Sequence, residues 1–230
     1  MKLELAIIFL GDSMIAIVGV LPDEVNPLLD ALSPRLQVSE ILRRPLFRGL
    51  IGENEVVITS GCIGKVETAC LVQAVLDRFK PDCVLLVGAA GALRQDILFG
   101  TVVAGTGYVE YDFSPRINVD SLINPAQDVF SPLLELSNVV CGIIASGDSF
   151  ISSEATVKKI QETTGAICVD MDSAAAAKVC VENEKPFLSL KVIVDFAGSK
   201  AIEQYIENHP KYASIPARLL VEVLGRVVLV

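Results

Sequence analysis

Four short clusters carry side chains that could do chemistry. The segment L-S-L-K-V-I-V-D-F-A-G (residues 188–198) ends a nearly unbroken apolar run on Asp195. A carboxylate there loses solvation, so its pKa rises, and it can deliver a proton near neutral pH. Asp170-Met171-Asp172-Ser173 stands directly before A-A-A-A. Two acids at the end of a buried strand can accept hydrogen bonds from sugar hydroxyls. V-G-A-A-G-A-L (residues 87–93) and G-C-I-G-K-V (residues 61–66) offer small residues that let a ligand reach the backbone. Neither is a phosphate-binding Walker loop or a G-x-G-x-x-G fingerprint. Pro22-Asp23-Glu24 puts acids in the first turn of a helix. Each cluster also has a purely structural reading, as a helix cap, a tight turn or a partner of the helix dipole.

Alternating elements must position these clusters. Short Val- and Ile-rich runs alternate with helical patterns, the mark of parallel strands buried on both faces. Strands are expected at 15–20, 84–88, 101–109, 141–146, 167–171 and 188–194. A hairpin is expected from 46–52 and 56–60 around Glu53-Asn54. Helices are expected near 66–79, 153–163, 173–181 and 213–224. The first of these presents Val66, Cys70, Val72, Val75 and Leu76 on its apolar side. Pro115, Pro125 and Pro132 mark residues 112–139 as loop. All four clusters thus fall at strand C-termini, where open α/β sheets build their sites.

The chain has 230 residues, 52% of them hydrophobic, enough for a two-sided core in one α/β domain. A formal charge of −9 disfavours nucleic-acid backbones and anionic membranes as partners. The six cysteines form no C-x-x-C pair, which reads as reduced, buried thiols in a cytoplasmic protein. His209 is the single histidine and sits in a polar stretch, so no zinc cluster is expected. Residues 1–13 read as a leader to the domain at 14–230, with Met14 as an alternative start. No stretch approaches a membrane span.

Together, the clusters resemble the nucleoside phosphorylase-I superfamily, most closely its methylthioadenosine/S-adenosylhomocysteine nucleosidase branch. G-V-L-P-D-E-V (residues 19–25) is similar to that branch's G-A-M-E-E-E-V. G-C-I-G-K-V followed by K-P-D-C-V-L-L-V-G-A-A-G-A-L (residues 80–93) resembles its S-G-I-G-K-V and K-P-D-x-x-I-N-T-G-S-A-G-G-L. S-G-D-S-F-I (residues 146–151), V-D-M-D-S-A-A-A-A (residues 169–177) and K-V-I-V-D-F-A (residues 191–197) resemble S-G-D-x-F-I, V-E-M-E-S-A-A-x-A and R-x-I-S-D-x-A.

The resemblance implies a single-domain three-layer sandwich, with a central mixed sheet flanked by helices, assembled as a homodimer or higher oligomer. It implies an N-glycosidase that hydrolyses a purine nucleoside to free base and ribose derivative, without metal or organic cofactor. Asp195 would protonate the departing base and Glu24 would activate water. Phe150 would stack on the base, and the Ile151 backbone would read its edge. Met171 and Asp172 would hold the ribose, with Lys191 near Glu24. Ala89 and Gly91 would lie beside the sugar, and Leu21, Ile63 and Tyr205 would line its 5′ side. Four positions depart from the pattern: Asp172 for glutamate, Ala89 for serine or threonine, Val194 for serine and Lys191 for arginine. The alternatives are phosphorolysis, with Arg43, Arg44 and Arg48 reaching a neighbouring subunit, futalosine hydrolysis, and nucleoside binding without chemistry.

Overall fold

The computed structural model describes residues 13–113 and 122–230. The leader expected over residues 1–13 lies outside them, except for Ser13. Strand β1 (Met14–Gly19) runs through a 3₁₀ turn (Pro22–Val25) into α1 (Asn26–Ala31). Then come β2 (Ser33–Ile41), β3 (Arg44–Ile51), β4 (Asn54–Ser60), α2 (Lys65–Phe79), β5 (Cys83–Ala92), β6 (Val102–Glu110) and β7 (Leu122–Ile123). After a second 3₁₀ turn (Asp128–Phe130) follow α3 (Ser131–Leu134), β8 (Val139–Ser146), α4 (Glu154–Thr164), β9 (Cys168–Asp170) and α5 (Ser173–Glu182). The chain ends with β10 (Phe187–Asp195), α6 (Ala201–Tyr212) and α7 (Ile215–Leu224).

Among the described residues, ten strands form one mixed sheet. β5 lies at its centre, parallel to β1 and β10 and antiparallel to β9. The path β5–β10–β6–β8–β9 returns to β5, so five strands close a ring. β1, β4, β3 and β2 extend outward from it. Strand alternation divides the core. Ala16 and Val18 of β1 pack with Leu71, Val72 and Val75 of α2 and Ala174 of α5. Ile15 and Ile17 face the other way, onto Leu28 of α1 and Leu220 and Val223 of α7. That gives the expected three layers, with helices on both sides of the sheet.

Several expectations need correction. β2 was not foreseen, because a Pro-containing, largely exposed edge strand lacks the apolar signal. The hairpin turn is Gly52-Glu53, and Asn54 opens β4, where its buried Nδ2 donates to Leu224 O and Val227 O. The segment 112–139 is not all loop, since β7 and α3 lie within its described part. On α2, Val66 (72% exposed) and Cys70 face outward, and Thr68 and Leu71 take the buried side. The six cysteines are free, but Cys70 and Cys141 are exposed rather than buried. Helix α6 was unforeseen, and α7 begins two residues later than expected. Among the described residues no helix is long and apolar enough to cross a membrane.

Candidate active site

A cavity of about 480 Å³ opens at the C-terminal ends of β1, β5 and β10. This volume suits a nucleoside-sized ligand. Its walls include Glu24, Asp172 and Asp195, with Leu21, Ile63, Ala89, Gly91, Phe150, Ile151, Met171 and Tyr205. Eleven of the twelve residues singled out from the sequence therefore meet in one place. Lys191 is the exception.

Asp195 is the last residue of β10, at a register shift that sets it beside Gly91 of β5. The strand before it is wholly buried, and Asp195 itself is only 4% exposed. Burial pushes its carboxyl up to about 6, and a hydrogen bond from the Ala197 N–H offsets part of that rise. This N–H donates to Oδ1 at 2.7 Å. Val194 leaves no serine hydroxyl to orient the carboxylate, so the backbone does so instead. Ala197 reaches this position with φ +53°, a left-handed conformation that is unfavourable for alanine.

Glu24 is fixed by the 3₁₀ turn after β1 and is 1% exposed. Leu21 N–H donates to its Oε2 at 2.7 Å and Ala89 N–H to its Oε1 at 3.1 Å. The residue that lacks the family's hydroxyl thus serves through its backbone. Ile63 is carried by the loop before α2. Gly64 caps that helix at φ +83°, a conformation open to glycine, and an added Cβ would stand 3.0 Å from Asp148 Oδ1. The Lys65 N–H donates to the same Oδ1 at 2.8 Å, tying the loop to the segment that carries Phe150.

Asp172 and Asp170 form a buried cluster with Lys191. Lys191 Nζ lies 2.7 Å from Asp172 Oδ1 and 3.1 Å from Asp170 Oδ2, with no solvent exposure. This corrects the expectation that Lys191 binds substrate: it sits beneath the cavity floor and grips the carboxylates. Its shorter, single-headed cation pairs directly with these acids and acts on Glu24 as a more distant charge. Burial opposes the charge on Lys191, but Asp172 and Asp170 outweigh it and hold the ammonium protonated. Burial also opposes ionisation of Asp170, yet Lys191 and the hydroxyls of Ser146 and Ser173 hold it below the usual carboxylate range. Burial and the adjacent Asp170 raise Asp172 well above that range. The two carboxyl groups, both on the cavity wall, are thus pushed in opposite directions while sharing one ammonium.

Phe150 is 45% exposed at the mouth and meets the edge of Tyr205, with ring centroids 5.8 Å apart. Sequence reading missed His209, whose ring lies 4.9 Å from that of Tyr205. The signal was available: residues four apart share a helix face, so placing Tyr205 at the site brings His209 with it. Among the described residues no Lys or Arg side chain lines the cavity. Arg44 Nε donates to Gly61 O and its NH2 lies 2.9 Å from Glu67 Oε2, and Arg48 pairs with Glu55.

The model of the phosphorylase superfamily matches residues 14–225. The chain is 43% identical over 218 residues to the 5′-methylthioadenosine/S-adenosylhomocysteine nucleosidase of Thermotoga maritima, covering 94% of this chain and all of that relative. A solved structure of the corresponding nucleosidase from Helicobacter pylori superposes with a TM-score of 0.87 at 24% identity, over 94% of this chain and all of that one. The futalosine hydrolase of the same organism superposes with a TM-score of 0.86 at 22% identity, over 94% of this chain and 98% of that one. These two likenesses concern the fold.

Proposed function

The chain belongs to the phosphorylase superfamily, and we propose that it hydrolyses the N-glycosidic bond of a purine nucleoside of the methylthioadenosine/adenosylhomocysteine type. The observation that carries this reading is the pairing of two unlike carboxyl groups in one cavity. Asp195 is pushed up to about 6 by burial and can carry a proton. Glu24 accepts two backbone N–H groups, which hold its carboxyl group in a fixed orientation. Such a division between acid and base is how one site runs both kinds of chemistry near neutral pH.

Cleavage of a nucleoside passes through a transition state in which positive charge builds on the ribose while the base leaves. Asp195 gives its proton to a ring nitrogen of the base, so that a neutral purine departs. Glu24 takes a proton from water as the water oxygen bonds to the anomeric carbon. The products are free base and a ribose carrying a new hydroxyl. Asp172 and the Met171 segment hold the sugar hydroxyls. Leu21, Ile63 and Tyr205 offer an apolar wall to an alkylthio group at the 5′ position.

Water is favoured over phosphate as nucleophile by the absence of Lys or Arg along the described cavity wall. A phosphate would enter beside several carboxyl groups with no Lys or Arg among the described lining residues to meet it. Arg44 and Arg48 are engaged elsewhere within the chain. Self-association into at least a dimer is supported by exposed apolar residues at the cavity, Ile63, Phe150 and Ile202. Free cysteines support a reducing, cytoplasmic setting. A chromatographic screen of methylthioadenosine, adenosylhomocysteine, adenosine, inosine, guanosine and futalosine, with and without phosphate, tests the assignment. Phosphate-independent release of adenine from the first two supports it. Strict phosphate dependence, or release of hypoxanthine from futalosine alone, overturns it.

A further inference from the structure

His209 lies on α6, one turn beyond Tyr205, and its side chain is 9% exposed. Its Nε2 faces Glu24 Oε1 at 3.5 Å, and Nδ1 faces Asp23 Oδ2 at 3.7 Å. The first distance is ion-pair range but longer than a well-formed hydrogen bond of roughly 2.7–3.2 Å. Nε2 is buried and has no hydrogen-bond partner among the described residues. Leaving a buried polar nitrogen in that state is unfavourable, so its orientation toward Glu24 calls for a reason.

Charge supplies one. Glu24, Asp170, Asp172 and Asp195 crowd one small cavity. Lys191 is spent on Asp170 and Asp172. Lys191 acts on Glu24 only as a more distant charge, whereas His209 stands within ion-pair distance of it. Resting on the hydrolytic reading above, we propose that His209 is a positioning residue for Glu24, which as an imidazolium keeps that carboxylate ionised and turned toward the attacking water. The charged groups that face this pair are Asp23 and Glu24 from the turn after β1, with Asp195 and Lys191 from β10, on which α6 packs; Tyr205 contributes its ring face. Glu24, and to a smaller degree Asp23, raises the His209 pKa against the opposing effect of burial. The imidazolium therefore persists to higher pH than that of a free histidine.

Because the chain has one histidine, its ring gives a single set of imidazole signals in an NMR titration of the intact protein. That readout does not depend on activity. In wild type the ring should titrate above the ordinary value of about 6.5. In Glu24→Gln it should fall to or below that value, and in Asp23→Asn it should change little. An unchanged His209 titration in Glu24→Gln overturns the inference, even if the enzyme hydrolyses nucleosides as proposed. Kinetics supply the functional half. In His209→Phe, which keeps the ring packing, kcat should fall about tenfold with KM nearly constant, and the acid limb of kcat/KM should move up by about one pH unit. His209→Gln can still donate to Glu24, so it should recover part of kcat but not the limb. Folded variants with an unmoved acid limb also overturn the inference. Absence of turnover in wild type would instead count against the hydrolytic reading.

Discussion

Asp195 and Gly91 face each other across the β5–β10 pairing, at the point where its register shifts. A Cβ on residue 91 would stand 2.6 Å from Asp195 Oδ1 and 3.2 Å from Ala197 Cβ. Glycine here makes room for the carboxyl group rather than meeting a special backbone angle. Gly91→Ala should therefore displace Asp195, lowering kcat by about 10- to 100-fold and stability by roughly 1–3 kcal/mol. Steady-state kinetics beside thermal melting check both, and unchanged kcat would show that the contact is not needed.

Asp195→Asn should lower kcat by about 10²- to 10⁴-fold while nucleoside affinity survives. The amide oxygen can still accept the Ala197 N–H, so the local fold is kept. Calorimetric binding of methylthioadenosine to the variant, with a single-turnover assay, separates the two effects.

The same variant bears on stability. Asp195 titrates near 6 in the folded protein and near 3.8 when unperturbed. A carboxyl raised on folding contributes stability that is present below 3.8 and lost as the pH rises through 6. Above 6 the wild type carries a buried anion at a cost of up to about 3 kcal/mol. Asp195→Asn should thus melt a few degrees higher than wild type at neutral pH, with the gap narrowing as pH falls from 6 toward 3.8. Parallel melts across that range test this, and equal melting temperatures at neutral pH would contradict it.

Lys191→Met keeps the volume of the side chain but leaves Asp170 and Asp172 buried without a cation. Loss of one partner from such a cluster typically costs 3–5 kcal/mol, which is about the whole of a marginal domain's margin. The double change Lys191→Met with Asp170→Asn, which removes the carboxyl held below the usual range, should regain part of that loss. Denaturant titration of both proteins measures the difference.

The strands that build the cavity were legible because both faces of β1, β5 and β10 are apolar, which placed Asp195 at the end of β10; β5 was expected to stop at Gly88, but it runs on to Ala92 through small residues that carry no apolar signal, so Gly91 lies within it. Edge strand β2 and helix α6 were not. β2 carries Pro34 and a largely exposed surface, and α6 contains Pro210 amid polar residues. The cost of missing α6 was His209, whose neighbour Tyr205 was recognised from family resemblance rather than from its helix. Lys191 was assigned to the right region, near Glu24, but its direct partners Asp170 and Asp172 were not foreseen. Spacing along β10 fixes which face a residue takes, but not which of several carboxylates its ammonium will reach. The outward-facing Val66 and Cys70 show the same limit: an apolar residue next to a buried stripe need not belong to it.

The central claim is that water, activated at Glu24, attacks the sugar. Cleavage of methylthioadenosine in phosphate-free, ¹⁸O-enriched water tests it most directly, with the ribose product examined by mass spectrometry. Free adenine and a methylthioribose carrying one ¹⁸O at the anomeric position are expected, with both absent in Glu24→Gln. Dependence of cleavage on added phosphate, with a ribose 1-phosphate as product, would contradict it.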